Sequence, residues 1–99
     1  MSKFGELLDE KKPLLLVSFS EYDELSTNLH PILKDVAAAL GDKGKVIKIN
    51  TEKNIKLSEA LRVKVIPTLM IYKFGEMVWR QSGDQDANTL ISLMKDQLN

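Results

Sequence analysis

The sequence contains no cysteine, and that absence removes more chemistry than any other feature of the chain. Disulfides, thiolate metal sites and thiol nucleophiles are all excluded. A single histidine, His30, also excludes a zinc site built on several imidazoles. Neither sign of charge is in excess, because 14 Lys and Arg balance 14 Asp and Glu. No dense basic cluster or basic–aromatic stripe runs along the chain, so neither nucleic acid nor an anionic membrane surface is an expected partner. Long hydrophobic runs are missing as well. Runs such as Leu14 to Val17 are far too short to cross a bilayer. The N-terminal MSKFGELLDEKKP lacks the apolar stretch of a signal peptide. A cytoplasmic protein with no membrane association is expected.

What remains is an ordinary globular composition, 43% apolar and 28% charged, which argues against disorder. A chain of 99 residues makes one domain, 1–99, burying about 60–65% of its unfolded surface around a single core. Phe4, Leu7 and Leu8 lie at helical spacing, and Lys11-Lys12-Pro13 ends that helix. Leu14 to Phe19 is almost continuously apolar, as expected of a strand buried on both faces of a parallel sheet. Beyond the polar stretch Ser20 to Asn28, residues Leu29, Ile32, Leu33, Val36 and Leu40 repeat at helical spacing, with Gly41 placed to cap the end.

Lys45 to Asn50 alternates and reads as a strand, and Ile55 to Leu61 as a short helix. Thr68 to Tyr72 and Met77 to Gln81 are strands joined by the turn Lys73-Phe74-Gly75-Glu76, with Gly75 supplying a positive φ. Gly83-Asp84 breaks the pattern, and Leu90, Ile91, Met94 and Leu98 line a final helix. Alternation of helices and strands implies parallel pairing, with the hairpin as an antiparallel edge.

Four segments in this order resemble the thioredoxin superfamily over about 90% of the chain. Leu15 to Phe19 is similar to its central strand, and Pro31-Ile32-Leu33 to the step that kinks its long helix. Val46 to Asn50 is similar to its next strand. Val65-Ile66-Pro67-Thr68-Leu69, followed by Phe74-Gly75-Glu76 and Gly83, resembles its cis-proline loop and terminal hairpin. The resemblance implies an α/β thioredoxin-like sandwich, a mixed sheet of about four strands flanked by helices, with the cis-proline loop at Pro67. The departures are as telling. Counting back from Pro31, the Cys-x-x-Cys positions fall on Asp23, Glu24, Leu25 and Ser26, with one residue fewer after Phe19 than in the family. Tyr22 matches the aromatic before the motif, and Ser18 matches the buried carboxylate of the central strand. The family's first strand has no counterpart, which would leave Val46 to Asn50 as an edge open to pairing with a second copy.

Asp23, Glu24 and Ser26 stand where the long helix should begin, and carboxylates there satisfy free N–H groups and the helix dipole. The competing reading, to which Glu21 adds, is an acidic docking patch for a basic peptide. Glu21, Asp23 and Glu24 lack the ligand spacing of a known divalent-metal loop. Ser26 and His30, four apart, would share a helix face as a nucleophile–base pair, although no oxyanion hole is evident. Pro31 is interior if the helix starts near Asp23, but falls in the first turn if Asn28 is the N-cap. Trp79 shares a strand face with Met77 and is expected to pack on the core.

Ile66 matches the residue whose backbone N–H and C=O receive an extended substrate peptide, and strand addition of that kind needs no thiol. Tyr22, Ile66 and Pro67 are therefore the expected peptide-binding residues, with no catalytic residue, metal or cofactor. The expected function is a redox-inert thioredoxin-like domain that binds a protein or extended peptide, or serves assembly, related to proteins of cell redox homeostasis. On this reading the chain is not an enzyme. The alternatives are a non-thiol enzyme and a domain that self-associates as a homodimer through the Val46–Asn50 edge.

Overall fold

The structure, a computed structural model, describes residues 11–98. The expected opening helix around Phe4, Leu7 and Leu8 lies outside them. Strand β1 (Leu14–Phe19) leads into helix α1 (Glu24–Leu40), a 3-10 turn (Gly41–Lys43) and strand β2 (Lys45–Asn50). Helix α2 (Ile55–Ala60), strands β3 (Thr68–Lys73) and β4 (Glu76–Ser82), and helix α3 (Ala87–Lys95) follow. The strands form one mixed sheet in the order β2-β1-β3-β4. This is the expected α/β sandwich.

The apolar run of β1 is buried on both faces because the strand is central. Leu15 and Val17 meet Leu29, Leu33, Val36 and Leu40 of α1, Leu69 and Ile71 of β3, and Leu90 and Met94 of α3. Leu14 and Leu16 face the other way, with Ile49, Met70 and Tyr72, and α2 covers them through Leu57. The period-two alternation of β1 and β3 thus feeds two cores at once. Gly44 lies against the first of these cores, beside Leu40 and Met94. A Cβ there would stand 3.2 Å from Leu40 Cδ1 and 3.3 Å from Met94 Cε, so those side chains would have to give by a few tenths of an ångström.

Parallel pairing holds only between β1 and β2, since β3 runs antiparallel to β1. The reason is the short α2. Its six residues rise about 9 Å, whereas a six-residue strand spans about 20 Å, so the chain never returns to the start of the sheet. It enters β3 from the end at which β1 and β2 finish. This places the Ile66–Pro67 loop beside the start of α1.

One open alternative is decided and two local expectations change. Helix α1 begins at Glu24 with Asp23 as N-cap, so Pro31 is interior and Asn28 is not the cap. Helix α3 ends at Lys95, leaving Leu98 beyond it, and its N-cap is Asp86. Met77 and Trp79 do not share a face. The register slips between Ile71 and Tyr72, so Trp79 opposes Ile71 while Met77 opposes Tyr72, with Val78 as the extra bulged residue. Trp79 packs against the α1–α3 core, and Met77 and Val78 are exposed. At the hairpin both central residues are left-handed, Phe74 at φ 53° and Gly75 at φ 80°, as a two-residue turn of this kind demands.

Candidate functional site

The segments that would form the docking groove leave neighbouring strands at one end of the sheet. Ser18 of β1 stands opposite Thr68 of β3, so Phe19–Asp23 and Ile66–Pro67 emerge side by side. The Ile66–Pro67 bond is cis. Pro67 is buried and Ile66 half-buried. The loop is held from below. Gly83 N–H donates to the Pro67 carbonyl at 2.9 Å, and the Thr68 hydroxyl donates to the Val65 carbonyl and lies 3.2 Å from Ser82 Oγ. Among the described residues no hydrogen bond engages the Ile66 N–H or C=O. Tyr22 in the first segment, Leu25 in the first turn of α1 and Val65 just before Ile66 are exposed apolar or aromatic side chains.

The positions of the missing cysteines form a cap. The Asp23 carboxylate accepts from Ser26 N–H at 2.9 Å and from the Ser26 hydroxyl at 3.0 Å. Ser26 Oγ in turn accepts from Ser20 N–H at 3.2 Å. Asp23 therefore works as a helix cap, with Ser26 buried beneath it. Leu25 is exposed, as is Glu24, the acidic residue of the first turn.

Ser26 and His30 are not joined. His30 meets the Phe19 ring edge-on at 5.2 Å, and its Nδ1 lies 3.4 Å from Lys48 Nζ, while Ser26 bonds Asp23 and Ser20. No cluster of three His, Asp or Glu side chains among the described residues is arranged to hold a metal. Glu21 accepts from Asn50 Nδ2 at 3.1 Å.

Two features were not visible in the sequence. Glu52, at the far side of the β2–α2 turn, fastens the turn after β1. Its carboxylate accepts from the Thr51 hydroxyl at 2.7 Å, the Ser20 hydroxyl at 3.1 Å and Glu21 N–H at 3.4 Å. These bonds, that from Thr51 foremost, hold its pKa below the usual 4.5 against the opposing effect of burial. Ser18, at the position of the family's buried acid, is fully buried and its hydroxyl has no partner. The Ser20 and Glu21 contacts of Glu52 and the unpartnered state of the Ser18 hydroxyl have no local sequence signal, since they depend on neighbours distant along the chain.

A helix cap thus faces a cis-proline loop across the end of the central strand. The thioredoxin family profile matches residues 1–96. The chain belongs to the thioredoxin family. It is 35% identical over 98 residues to chloroplastic thioredoxin Y of Oryza sativa subsp. japonica, covering 98% of this chain and 58% of that protein. It is 31% identical over 87 residues to a thioredoxin of Rickettsia prowazekii, covering 88% and 83%. The chain spans a little over half the length of the rice protein and of Arabidopsis thioredoxin Y1, 58% and 54%. In fold it superimposes on a mutant thioredoxin from Halobacterium salinarum with a TM-score of 0.89 at 22% identity, covering 100% of this chain and 86% of the other. It also matches chloroplastic thioredoxin z, described as defining a type-specific target recognition, at a TM-score of 0.86 and 21% identity, covering 96% and 86%.

Membership overturns one expectation. The missing motif suggested that the chain is not an enzyme, yet relatives across this thioredoxin family are named thioredoxins, which are thiol–disulfide oxidoreductases. The family points to enzyme activity. An absent motif is weaker ground, because it describes the side chains of one chain and not the reaction in which the fold takes part. Among the described residues no helix is long and apolar enough to cross a membrane.

Proposed function

We propose that this thioredoxin-family chain is a binding module that takes an extended segment of a target protein against the Ile66–Pro67 loop. The observation that carries the reading is the Ile66 backbone, whose N–H and C=O are unengaged among the described residues, flanked by exposed Tyr22, Leu25 and Val65. A free donor and acceptor on one residue is what an added strand pairs with, and apolar neighbours supply contact area. Tyr22, Ile66 and Pro67 form the floor and one wall, while Asp23 and Ser26 hold the opposite wall by capping α1. The sequence has no cysteine, so in any thiol–disulfide exchange at this groove the attacking thiolate and both sulfurs of the disulfide belong to the bound molecules. The encounter is proposed for the cytoplasm.

The test is capture of targets by the wild-type chain and by Ile66→Pro and Tyr22→Ala. Ile66→Pro removes the donor, and Tyr22→Ala removes the aromatic contact. Targets retained in full by both variants would sink the reading. A second reading, homodimerisation through β2, rests on the position of β2 at the edge of the described sheet. Lys45 and Lys48 are the kind of residue that blunts such an edge, and sedimentation showing only monomer at micromolar concentrations would refute it.

A further inference from the structure

The opposite end of the sheet gathers lysines that are far apart in sequence. Lys11 and Lys12 precede β1, Lys43 closes the 3-10 turn before β2, and Lys73 ends β3. The first residues of β1 and β2 pair with each other, as Leu14 with Lys45, and Leu14 also opposes Tyr72. The register therefore draws the four lysines around one open cavity of about 360 Å³, completed by Pro13 and Leu98. Among the described residues no acidic side chain lines it. Asp42 and Asp96 are neighbours in sequence of Lys43 and Leu98, but neither is among the lining residues.

No described carboxylate neutralises the ammonium groups. Among the described residues Lys11, Lys12 and Lys43 have no hydrogen-bond or ion-pair partner, and all three are exposed. Lys73 is held in place by neutral groups only, donating to the Gln97 carbonyl and lying 5.3 Å from the centre of the Phe74 ring. In a chain with no net charge, four cations facing one concavity repel one another until an anion enters. The lining cations are all lysine and none is arginine. Lysine presents a compact charge with three rotatable donors, which suits phosphate oxygens in any orientation, whereas a planar guanidinium fork suits a fixed carboxylate.

We propose that this cavity binds a small multiply charged phosphate anion, a polyphosphate chain either free or carried by a nucleotide. The lysines contact phosphate oxygens, and Pro13 with Leu98 supplies an apolar wall. The site lies about 20 Å from the Ile66–Pro67 loop, the length of β1. It is independent of the peptide-docking reading.

Isothermal titration of the full chain at low salt, with sodium tripolyphosphate and separately with magnesium-free ATP, tests the proposal. A single saturable site that weakens as salt rises is expected. Lys12→Gln and Lys43→Gln should each weaken it by roughly three- to tenfold, while Lys64→Gln, exposed and away from the cavity, leaves it unchanged. Amide shifts on titration should centre on Leu14, Gly44 and Leu98. Tighter binding of tripolyphosphate identifies the free chain as ligand, and equal or tighter binding of ATP identifies the nucleotide. The proposal is overturned by no saturable binding up to about 10 mM of either anion. It is also overturned by Lys64→Gln weakening binding as much as Lys43→Gln, or by binding of an acidic peptide with none of phosphate.

Discussion

Ser18 and Ser26 are both 0% exposed, yet truncating them should move stability in opposite directions. The Ser18 hydroxyl lost its water on folding and gained no partner, a burden of about 1–3 kcal/mol. Ser18→Ala removes it, leaving a gap the size of one oxygen and a slightly poorer strand former, each offsetting a few tenths of a kcal/mol. The net expectation is stabilisation by about 1 kcal/mol, or a Tm rise of roughly 4–8 °C in a domain of this size. Ser26→Ala does the reverse. It strands Ser20 N–H and takes a donor from Asp23. A broken pair at a half-buried site costs about 1–2 kcal/mol, against about 0.5 kcal/mol gained in helix propensity. The Tm should fall by about 4 °C or more. Thermal unfolding followed by circular dichroism, with both variants beside the wild type, reads the two signs directly. A Ser18→Ala variant that melts several degrees lower, or a Ser26→Ala variant that melts no lower than wild type, refutes the reasoning from hydrogen-bond satisfaction.

Other outcomes follow from the same contacts. Glu52 and Asp86 have pKa values held below their ordinary 4.5 and 3.8, by the Thr51 hydroxyl foremost in one case and by Thr89 N–H in the other. Their stabilisation is complete above those ordinary values and is lost as pH falls through the lower folded ones. Tm measured from pH 7 to pH 3 should drop at the acid end, and Glu52→Gln with Asp86→Asn should flatten the drop; an unchanged profile counts against it. Phe74 occupies a left-handed position that favours asparagine, so Phe74→Asn should raise Tm by about 2–4 °C, and a lower Tm would show that its ring matters more than its backbone. The Arg80 guanidinium donates to the Leu61 and Arg62 carbonyls, each at 2.8 Å, at the start of the segment that leads to Pro67. Arg80→Lys loses that fork, and hydrogen exchange should speed up in 63–66 more than in β1; equal exchange in both refutes a role for Arg80 in setting the loop.

Much of the fold was legible because it rests on local patterns. The apolar run of Leu14–Val17 announced a strand buried on both faces, and the spacing of Leu29, Leu33, Val36 and Leu40 announced the buried face of α1. Both follow from the periods of strand and helix. Asp23 was readable as a cap because capping is a contact across three residues. Trp79 packs on the core as expected, but Met77 was misplaced because a bulge at Val78 shifts alternation by one residue, and a bulge is a property of the pair of strands. The non-enzyme reading failed for a different reason, since it took the loss of a motif for the loss of a family's chemistry.

The sequence alone determined the elements, the two-sided burial of β1, the loop at Pro67 and the absence of any thiol. Those properties belong to residue type and to neighbours a few positions away. Only the tertiary structure decided that β3 runs antiparallel, that Glu52 fastens the turn after β1, that Ser26 is satisfied while Ser18 is not, and that four scattered lysines surround one cavity. Each of these is a relation between atoms brought together from across the chain. Hydrogen-bond partners and Coulomb energies depend on distance in space, and strand register, not sequence spacing, sets those distances.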